Sequence, residues 1–145
     1  MNTPEIRRID SQEELQTAFA IRYRVFVEEQ GVPASEELDE HENESRHFLV
    51  LVEGVPVATA RWRVTGEGVK LERFAVLPEY RNRGIGAQLV RAVLDDVRRQ
   101  HPGKKIYLHA QLAARRLYER AGFVPEGDIF DECGILHVKM YWKGE

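Results

Sequence analysis

Three short apolar runs at hairpin spacing, followed by a change to helical periodicity, limit most strongly what this 145-residue chain can fold into. The three runs cover residues 47–52, 55–64 and 69–76. Turns as short as those between them join antiparallel neighbours, so the runs predict an antiparallel meander. From Ile85 to Val97 the apolar residues recur at three- and four-residue steps. This second pattern predicts a long amphipathic helix.

The segments on either side extend this pattern. A short strand is predicted at residues 4–9, and Ser11 with Glu14 fits a capping box that begins a helix. Residues 31–33, Gly-Val-Pro, are expected to end that helix. After the long helix we expect a strand at residues 105–110, a helix at 113–121 and a strand near 135–142. Together these elements predict one domain over residues 1–145, an α/β (α+β) fold with a mixed, mostly antiparallel sheet and helices on both faces.

The composition excludes several classes of protein. Hydrophobic residues make up 43% of the chain and charged residues 31%, which indicates a globular rather than a disordered protein. The formal net charge of -3 provides no basic field for nucleic acid. No apolar run approaches the roughly 18 residues of a membrane span, and the first residues lack the apolar core of a secretory leader. Because Cys133 is the single cysteine, we expect a reducing, cytoplasmic location.

The most informative stretch lies where the last run of the meander leads into the long helix. It places Arg81, Arg83, Gly84 and Gly86 in one turn. Glycine permits backbone angles and close approaches that a side chain would block, and the first N–H groups of a helix have no partner within it. With the helix dipole and the arginine charges, such a turn is suited to bind a pyrophosphate. A dinucleotide-binding fingerprint is a poor match, because Leu89 stands where its third glycine belongs.

Two motifs of this sequence resemble those of the GNAT-type N-acyltransferases. Arg81-x-x-Gly84-x-Gly86 is similar to the loop that binds the acyl-CoA pyrophosphate in that family, and residues 111–123 (QLAARRLYERAGF) resemble the stretch after its fifth strand. The order of predicted elements also matches, so the resemblance implies the GNAT (acyl-CoA N-acyltransferase) fold for nearly the whole chain. Two further segments, RVFVEEQ at residues 24–30 and ECGILH at 132–137, are similar to the small bacterial GNATs related to ElaA and YjcF.

The resemblance implies acetyl-CoA (coenzyme A) as cosubstrate and no metal. The strand before the loop splays from its neighbour in this family, and the pantetheine arm would pair there with backbone groups of Phe74, Ala75 and Val76. Gln111 stands at the position of the family's asparagine and would bond the pantetheine amide. The pyrophosphate would lie on the N–H groups of the loop, which comprises Arg81, Asn82, Arg83, Gly84, Ile85, Gly86 and Ala87.

The resemblance also implies the reaction, which is direct transfer of an acetyl group to a primary amine. Tyr118 matches the family's general acid, and its ring would also lie against the cofactor. The backbone N–H of Val76 would polarise the thioester carbonyl. The base stays open among three residues. Glu72 leads, because strand alternation places it on one face with Phe74 and Val76, and His109 and His137 are the alternatives.

The predicted acceptor side is acidic. Residues 28–44 hold eight carboxylates and no lysine or arginine. The first helix and the following loop form part of the acceptor side in GNATs, so we expect Glu28 and Glu29 to attract a cationic amine, either a small molecule or a peptidyl amine. Neither nucleic acid nor a membrane is an expected partner, and a homodimer is an assembly that the family permits. Residues 39–42 and His47 match no metal-ligand spacing, and a solvated acidic loop is predicted instead.

Two other classes of function stay open at this point. One is a non-catalytic acyl-CoA-binding or regulatory module, which would bind CoA without releasing its thiol to any amine. The other is an acyl-homoserine-lactone-type synthase, suggested by residues 24–26 of the first helix, although the chain is short for that class. A preference for long-chain donors would indicate the synthase.

Overall fold

The computed structural model describes residues 3–144, whose strands form one seven-stranded sheet in the order β1-β2-β3-β4-β5-β7-β6. The strands are β1 Glu5–Arg8, β2 Arg46–Val52, β3 Val55–Val64, β4 Val69–Val76, β5 Ile106–Gln111, β6 Phe123–Glu132 and β7 Ile135–Trp142. Every neighbouring pair is antiparallel except β4 and β5, which are parallel. The predicted mixed, mostly antiparallel sheet is therefore confirmed, as is the meander formed by β2, β3 and β4.

The three predicted helices are present with different ends, and the short α2 (Ala34–Glu37) was not predicted. In chain order the helices are α1 Gln12–Arg22, α2, α3 Ile85–Gln100 and α4 Arg115–Glu119. The Ser11 hydroxyl accepts the Glu14 N–H at 3.2 Å, so Ser11 caps α1 as predicted, whereas the Glu14 carboxylate binds Arg7. After Arg22 the helix continues as a π-helix, Tyr23–Glu29, and a 3-10 turn precedes the short α4. π-Helical turns are often found at functional sites.

Helices cover both faces of the sheet, as predicted. On one face α3 buries its apolar stripe against β3 and β4; the fully buried members are Leu89, Val90, Val93 and Val97. On the other face α1 and the π-helix bury Ile21 and Val25 against Leu49 of β2 and Ala75 of β4. The residues next to Leu49, Phe48 and Val50, belong to the α3 side, which is the alternation expected of a strand covered on both faces.

A β-bulge interrupts β4 at Arg73. Glu72 pairs with Arg61 of β3 and Ala75 pairs with Thr59, so two residues of β4 oppose one of β3. Arg73 has a positive φ of 60°, which takes up the extra residue. The bulge reverses the alternation, so Phe74 and Val76 pack on the α3 side while Glu72 stays on the α1 side. The prediction that Glu72 shares a face with them is therefore wrong.

The same strand separates from β5 beyond the bulge. The two strands pair only through Val69–Ile106, Lys70–Tyr107 and Leu71–Leu108. Beyond these pairs the two strands diverge, and the edges of β4 and β5 that face each other have no partner strand. This leaves a wedge-shaped gap in the middle of the sheet, and the predicted splay is present.

β6 was not predicted from the sequence. It is an edge strand with mostly exposed residues, and it contains Pro125 and Gly127, which are depleted in regular strands. Its pairing with β7 shifts register between Glu126 and Phe130. Because one side faces solvent and the register is broken, β6 lacks the apolar alternation by which a strand is recognised.

The acidic segment of residues 34–44 is held to α1 and to β3 by buried arginines, so the prediction of a solvated loop is wrong. Arg22 is 1% exposed and pairs with Glu37 at 3.1 Å and with Glu42 at 2.7 Å. Arg61 is fully buried and pairs with Asp39 at 2.7 Å and with Glu42 at 2.8 Å. Sequence alone does not distinguish carboxylates in solvent from carboxylates that neutralise arginines on a distant strand.

Replacing Arg61 with alanine should destabilise the protein by about 3–5 kcal/mol, because the variant leaves buried carboxylates without their counter-ion. Urea unfolding at neutral pH measures this loss. Arg7→Ala is the matched control, since Arg7 pairs with Glu5 and Glu14 at the surface and should contribute about 1 kcal/mol or less. Equal losses in the two variants would contradict a supporting role for the buried arginine.

Candidate active site

A cavity of about 680 Å³ passes through the gap between β4 and β5. On the α3 side its lining includes Leu117 and Tyr118, and on the α1 side it includes Val25, Phe26 and Gln30. The opening between the strands therefore connects the two faces of the sheet. Two ligands that approach from opposite faces can meet in such a cavity.

The α3 end of the cavity lies beside the glycine-rich turn. Gly84 precedes α3 with a φ of 78°, a left-handed conformation that favours glycine, and no side chain caps the helix. The first helical N–H groups, those of Ile85, Gly86 and Ala87, therefore have no partner within the helix. A Cβ at Gly86 would lie 3.6 Å from Leu117, an ordinary contact, so packing does not require glycine there. The bare backbone leaves room for an anion, which fits the predicted pyrophosphate site.

The two arginines of the turn have other partners. The Arg81 guanidinium makes two 2.7 Å bonds to the Glu29 carboxylate, and its Nε donates to the Val76 carbonyl at 2.9 Å. The bond to Glu29 raises the pKa of Arg81. Arg83 is exposed and lies 5.1 Å over the ring of Tyr80. Arg81 therefore fixes the shape of the turn, and its side chain is not the free positive charge that the sequence analysis expected.

The backbone of β4 presents polar groups to the gap. The N–H of Leu77 donates to Val57 of β3 at 2.9 Å. Successive N–H groups of a strand point to opposite sides, so the N–H of Val76 faces the gap. Phe74, Ala75 and Val76 all line the cavity, as predicted for the cofactor arm. The Val76 N–H is thus placed to donate to a ligand between the strands.

Tyr118 lies on α4 at the wall of the cavity. Its side chain is 7% exposed and packs edge-on against Phe74 at 5.7 Å and Phe123 at 6.1 Å. Among residues 3–144 the structure shows no hydrogen-bond partner for its hydroxyl. Burial raises the pKa of Tyr118, so the hydroxyl keeps its proton at neutral pH. A protonated hydroxyl without a protein partner is suited to donate to a ligand atom.

Glu72 is surrounded by cations. Its carboxylate lies 2.7 Å from Arg63, 2.9 Å from Arg61 and 3.2 Å from Lys70. Burial alone would raise the pKa of Glu72, but the Arg63 hydrogen bond and the charges of Arg61 and Lys70 outweigh it and lower the pKa to about 2. A carboxylate this acidic binds a proton weakly at neutral pH, which makes Glu72 a poor general base.

The two predicted histidines come together with a carboxylate that the sequence analysis did not assign to the site. His109 Nδ1 lies 3.4 Å from Glu132, and His137 Nε2 lies 3.7 Å from the same carboxylate. The hydrogen bond from His109 lowers the pKa of Glu132, and the ring of Phe130 stands between the two imidazoles. His109, Glu132 and His137 all line the cavity. Glu132 and His137 both belong to the ECGILH segment, so their proximity could have been predicted from the sequence. The position of His109 beside them depends on the pairing of β5 with β7.

The remaining predicted site residues divide into two groups. Gln111 lines the cavity, and its amide exchanges hydrogen bonds with that of Gln30 at 2.9 and 3.4 Å. Glu28 and Glu29 do not line it, because Glu28 points to solvent and Glu29 is held by Arg81. The exposed carboxylates that line the cavity are instead those of Glu36 and Glu40, together with that of Glu132 beside the histidines.

Within residues 3–144 no cluster of histidine, cysteine, aspartate and glutamate side chains has the arrangement of a metal site. In the same part of the chain, the helices are too short or too polar to cross a bilayer.

Comparison with known proteins agrees with this geometry. Residues 9–143 match the family model described as acetyltransferase (GNAT) domain. The Bacillus subtilis protein named uncharacterized N-acetyltransferase YjcF is 39% identical over 131 residues, which is 90% of this chain and 93% of YjcF. The crystal structure of Escherichia coli ElaA superimposes with a TM-score of 0.87 at 28% identity, covering 96% of this chain and 99% of ElaA. An acyl-CoA N-acyltransferase from Pseudomonas aeruginosa gives a TM-score of 0.85 at 25% identity, covering 98% and 99%. The fold expected from the sequence motifs is confirmed.

The lowered pKa of Glu72 predicts a specific dependence of stability on pH. A folded-state pKa below the value of 4.5 for the free side chain means that ionised Glu72 stabilises the fold above about pH 4.5 and that this contribution is lost as the pH falls toward 2. Glu72→Gln should therefore lower the free energy of unfolding by up to about 3 kcal/mol at pH 7. The difference from the parent protein should shrink between pH 4.5 and pH 3.

Chemical denaturation across this pH range measures the effect. Glu28→Gln, which removes an exposed carboxylate, is the control and should leave the pH profile unchanged. A destabilisation by Glu72→Gln that is the same at pH 7 and pH 3 would contradict the ionised, ion-paired state of Glu72.

Proposed function

Because the chain belongs to the GNAT acetyltransferase family, we propose that it transfers an acetyl group from acetyl-CoA to a primary amine by direct attack of the amine. The observation that carries this proposal is the cavity through the sheet between β4 and β5. It allows the donor to enter from the α3 face and the acceptor from the α1 face. A direct transfer needs this meeting of two ligands and no covalent enzyme intermediate.

The donor site is proposed to begin at the start of α3. The loop of residues 81–87 places unpaired N–H groups and the positive end of the helix dipole together, which suits a pyrophosphate. The backbone of residues 74–76 would pair with the pantetheine arm, because these residues lack a partner strand on the gap side. Gln111 retains amide groups beyond its two bonds to Gln30, so it can also bond the pantetheine amide.

Three groups are proposed to perform the chemistry. Acetyl-CoA, when bound, supplies a thioester carbonyl and a thiolate leaving group. The Val76 N–H would donate to the carbonyl oxygen as negative charge develops on it. The Tyr118 hydroxyl, which carries its proton at neutral pH, would protonate the departing sulfur.

For the base, the geometry favours His109 over Glu72. The Glu132 carboxylate accepts from His109 Nδ1, which leaves Nε2 with a lone pair to take a proton from the attacking amine. His137 is directed differently, because its Nδ1 donates to the Ile135 carbonyl at 2.7 Å. Glu72 is proposed to hold Arg61 and Arg63 in place rather than to move a proton.

The acceptor is proposed to be a small-molecule or peptidyl amine that approaches over Glu36 and Glu40. These exposed carboxylates lie at the mouth of the cavity, where they would attract a cationic amine before it loses its proton. They replace Glu28 and Glu29 in this role because the latter pair lies outside the cavity lining.

Tyr118→Phe should lower kcat by about two orders of magnitude or more, because the variant keeps the ring but lacks the proton donor. The affinity for CoA should change by no more than about twofold, since the packing of the ring is retained. Release of CoA thiol with a panel of amines measures kcat, and calorimetry measures CoA binding. An unchanged kcat would contradict the role of Tyr118 as the acid.

A thermal-shift titration tests the donor site itself. CoA and acetyl-CoA at about 100 times their Kd should each stabilise the protein by about 2.7 kcal/mol, while NAD should not. No shift with either CoA species would contradict the proposed function. A shift without thiol release from any amine would instead favour a non-catalytic acyl-CoA-binding module.

A further inference from the structure

The end of the π-helix crosses the α1-side opening of the gap. The Gln111 amide at the end of β5 donates to Gln30 Oε1 at 2.9 Å, and the Gln30 amide donates back to Gln111 Oε1 at 3.4 Å. The two residues are 81 positions apart in the chain. This reciprocal amide pair therefore ties the α1 face to the far side of the gap.

The neighbouring residue makes the corresponding tie to the near side. Glu29 binds Arg81 through two 2.7 Å bonds, and Arg81 Nε donates to the Val76 carbonyl at the end of β4. Residues 29 and 30 thus connect to the ends of both strands that border the gap. We refer to Glu29 and Gln30 as the strap.

The wall beside the strap is apolar. Val25 is 3% exposed and Phe26 is 9% exposed, and both line the cavity together with the half-buried Val32. An alkyl chain that left the gap on this side would gain free energy with each methylene that it buried on this wall. Gln30 and Gln111 line the same cavity, so a chain that lengthened toward this wall would meet their amides. Displacing the Gln30 side chain from Gln111 would leave two amides without partners in a partly buried place.

We propose that the Gln30–Gln111 amide pair limits the length of the acyl group that the donor can carry. This inference rests on the proposed function, because it assumes that acyl-CoA occupies the gap. An acetyl group ends before the strap. A longer acyl group meets the amide pair and must open it, so the parent protein selects short donors.

The test measures binding of a series of donors, so it needs no known acceptor. Calorimetry compares CoA, acetyl-CoA, butanoyl-CoA and hexanoyl-CoA for the parent protein and for Gln30→Ala. The parent should bind acetyl-CoA about tenfold more tightly than hexanoyl-CoA, because leaving two partly buried amides unpaired costs more free energy than burial of the added methylenes returns. In Gln30→Ala this preference should disappear or reverse, while CoA itself binds as before.

Two additional variants separate an effect on donor selection from an effect on the stability of the fold. Gln30→Met removes both hydrogen bonds but fills the space with a flexible apolar chain, so it should widen the donor range as Gln30→Ala does and serves if the alanine variant does not fold. Gln16→Ala, at an exposed glutamine of α1, is the matched control and should keep the parent's preference for acetyl-CoA.

The outcomes distinguish failure of the amide-pair inference from failure of the proposed function. If hexanoyl-CoA and acetyl-CoA bind the parent equally well, or if the folded Gln30 variants keep the parent's preference, the amide pair is not a gate and the inference is overturned. If neither CoA nor any acyl-CoA binds the parent, the proposed function fails instead.

Discussion

The bulge at Arg73 in β4 is the constraint on which the site depends. One extra residue on this strand reverses the alternation of side chains, so that Glu72 faces the α1 side while Phe74 and Val76 pack on the α3 side. The pairing of β4 with β5 ends at Leu71, just before the bulge. Bulges bend and twist the strand that contains them, which accounts for the divergence of two parallel neighbours in the middle of a sheet. A regular β4 would place Glu72 and Phe74 on the same face. It would also be able to continue its pairing with β5, so that no gap would form.

The buried ion pairs make the α1 side of the cavity rigid. Arg22 and Arg61 hold the segment of residues 34–44 against the sheet, and Glu72 joins the same network from the residue before the bulge. Burying charge is costly, and a protein recovers that cost only when each charge is paired and hydrogen-bonded. Burial alone would raise the pKa of Glu42 and of Glu72. Arg22 and Arg61 outweigh it at Glu42, whereas Arg63, Arg61 and Lys70 outweigh it at Glu72, so both pKa values are lowered. The acidic segment thus forms a fixed wall of the cavity on the α1 side.

Much of this architecture is predictable from the sequence, and the failures have physical causes. The bounds of β3 and β4 and the start of α3 agree with the structure because apolar alternation and a glycine turn mark them directly. The residues from Arg81 to Ala87, with Gln111 and Tyr118, could be proposed as site residues because their motifs resemble those of GNAT acyltransferases. The bulge could not, since no residue type signals a positive φ at Arg73. The His109–Glu132 contact and the Glu29–Arg81 bond join residues 23 and 52 positions apart, and only the sheet order and the course of the π-helix bring them together.

Residue-resolved amide hydrogen exchange, measured with and without CoA, tests most directly whether the gap between β4 and β5 is the donor site. Pairing of the pantetheine arm with the Val76 N–H and of the pyrophosphate with the first N–H groups of α3 should slow exchange at Val76 and at residues 85–87. The same concentration of NAD should leave these amides unchanged. The account is contradicted if CoA binds and these amides exchange as in the free protein, for example with protection confined to the separate cavity beside Arg98, His101 and Trp142.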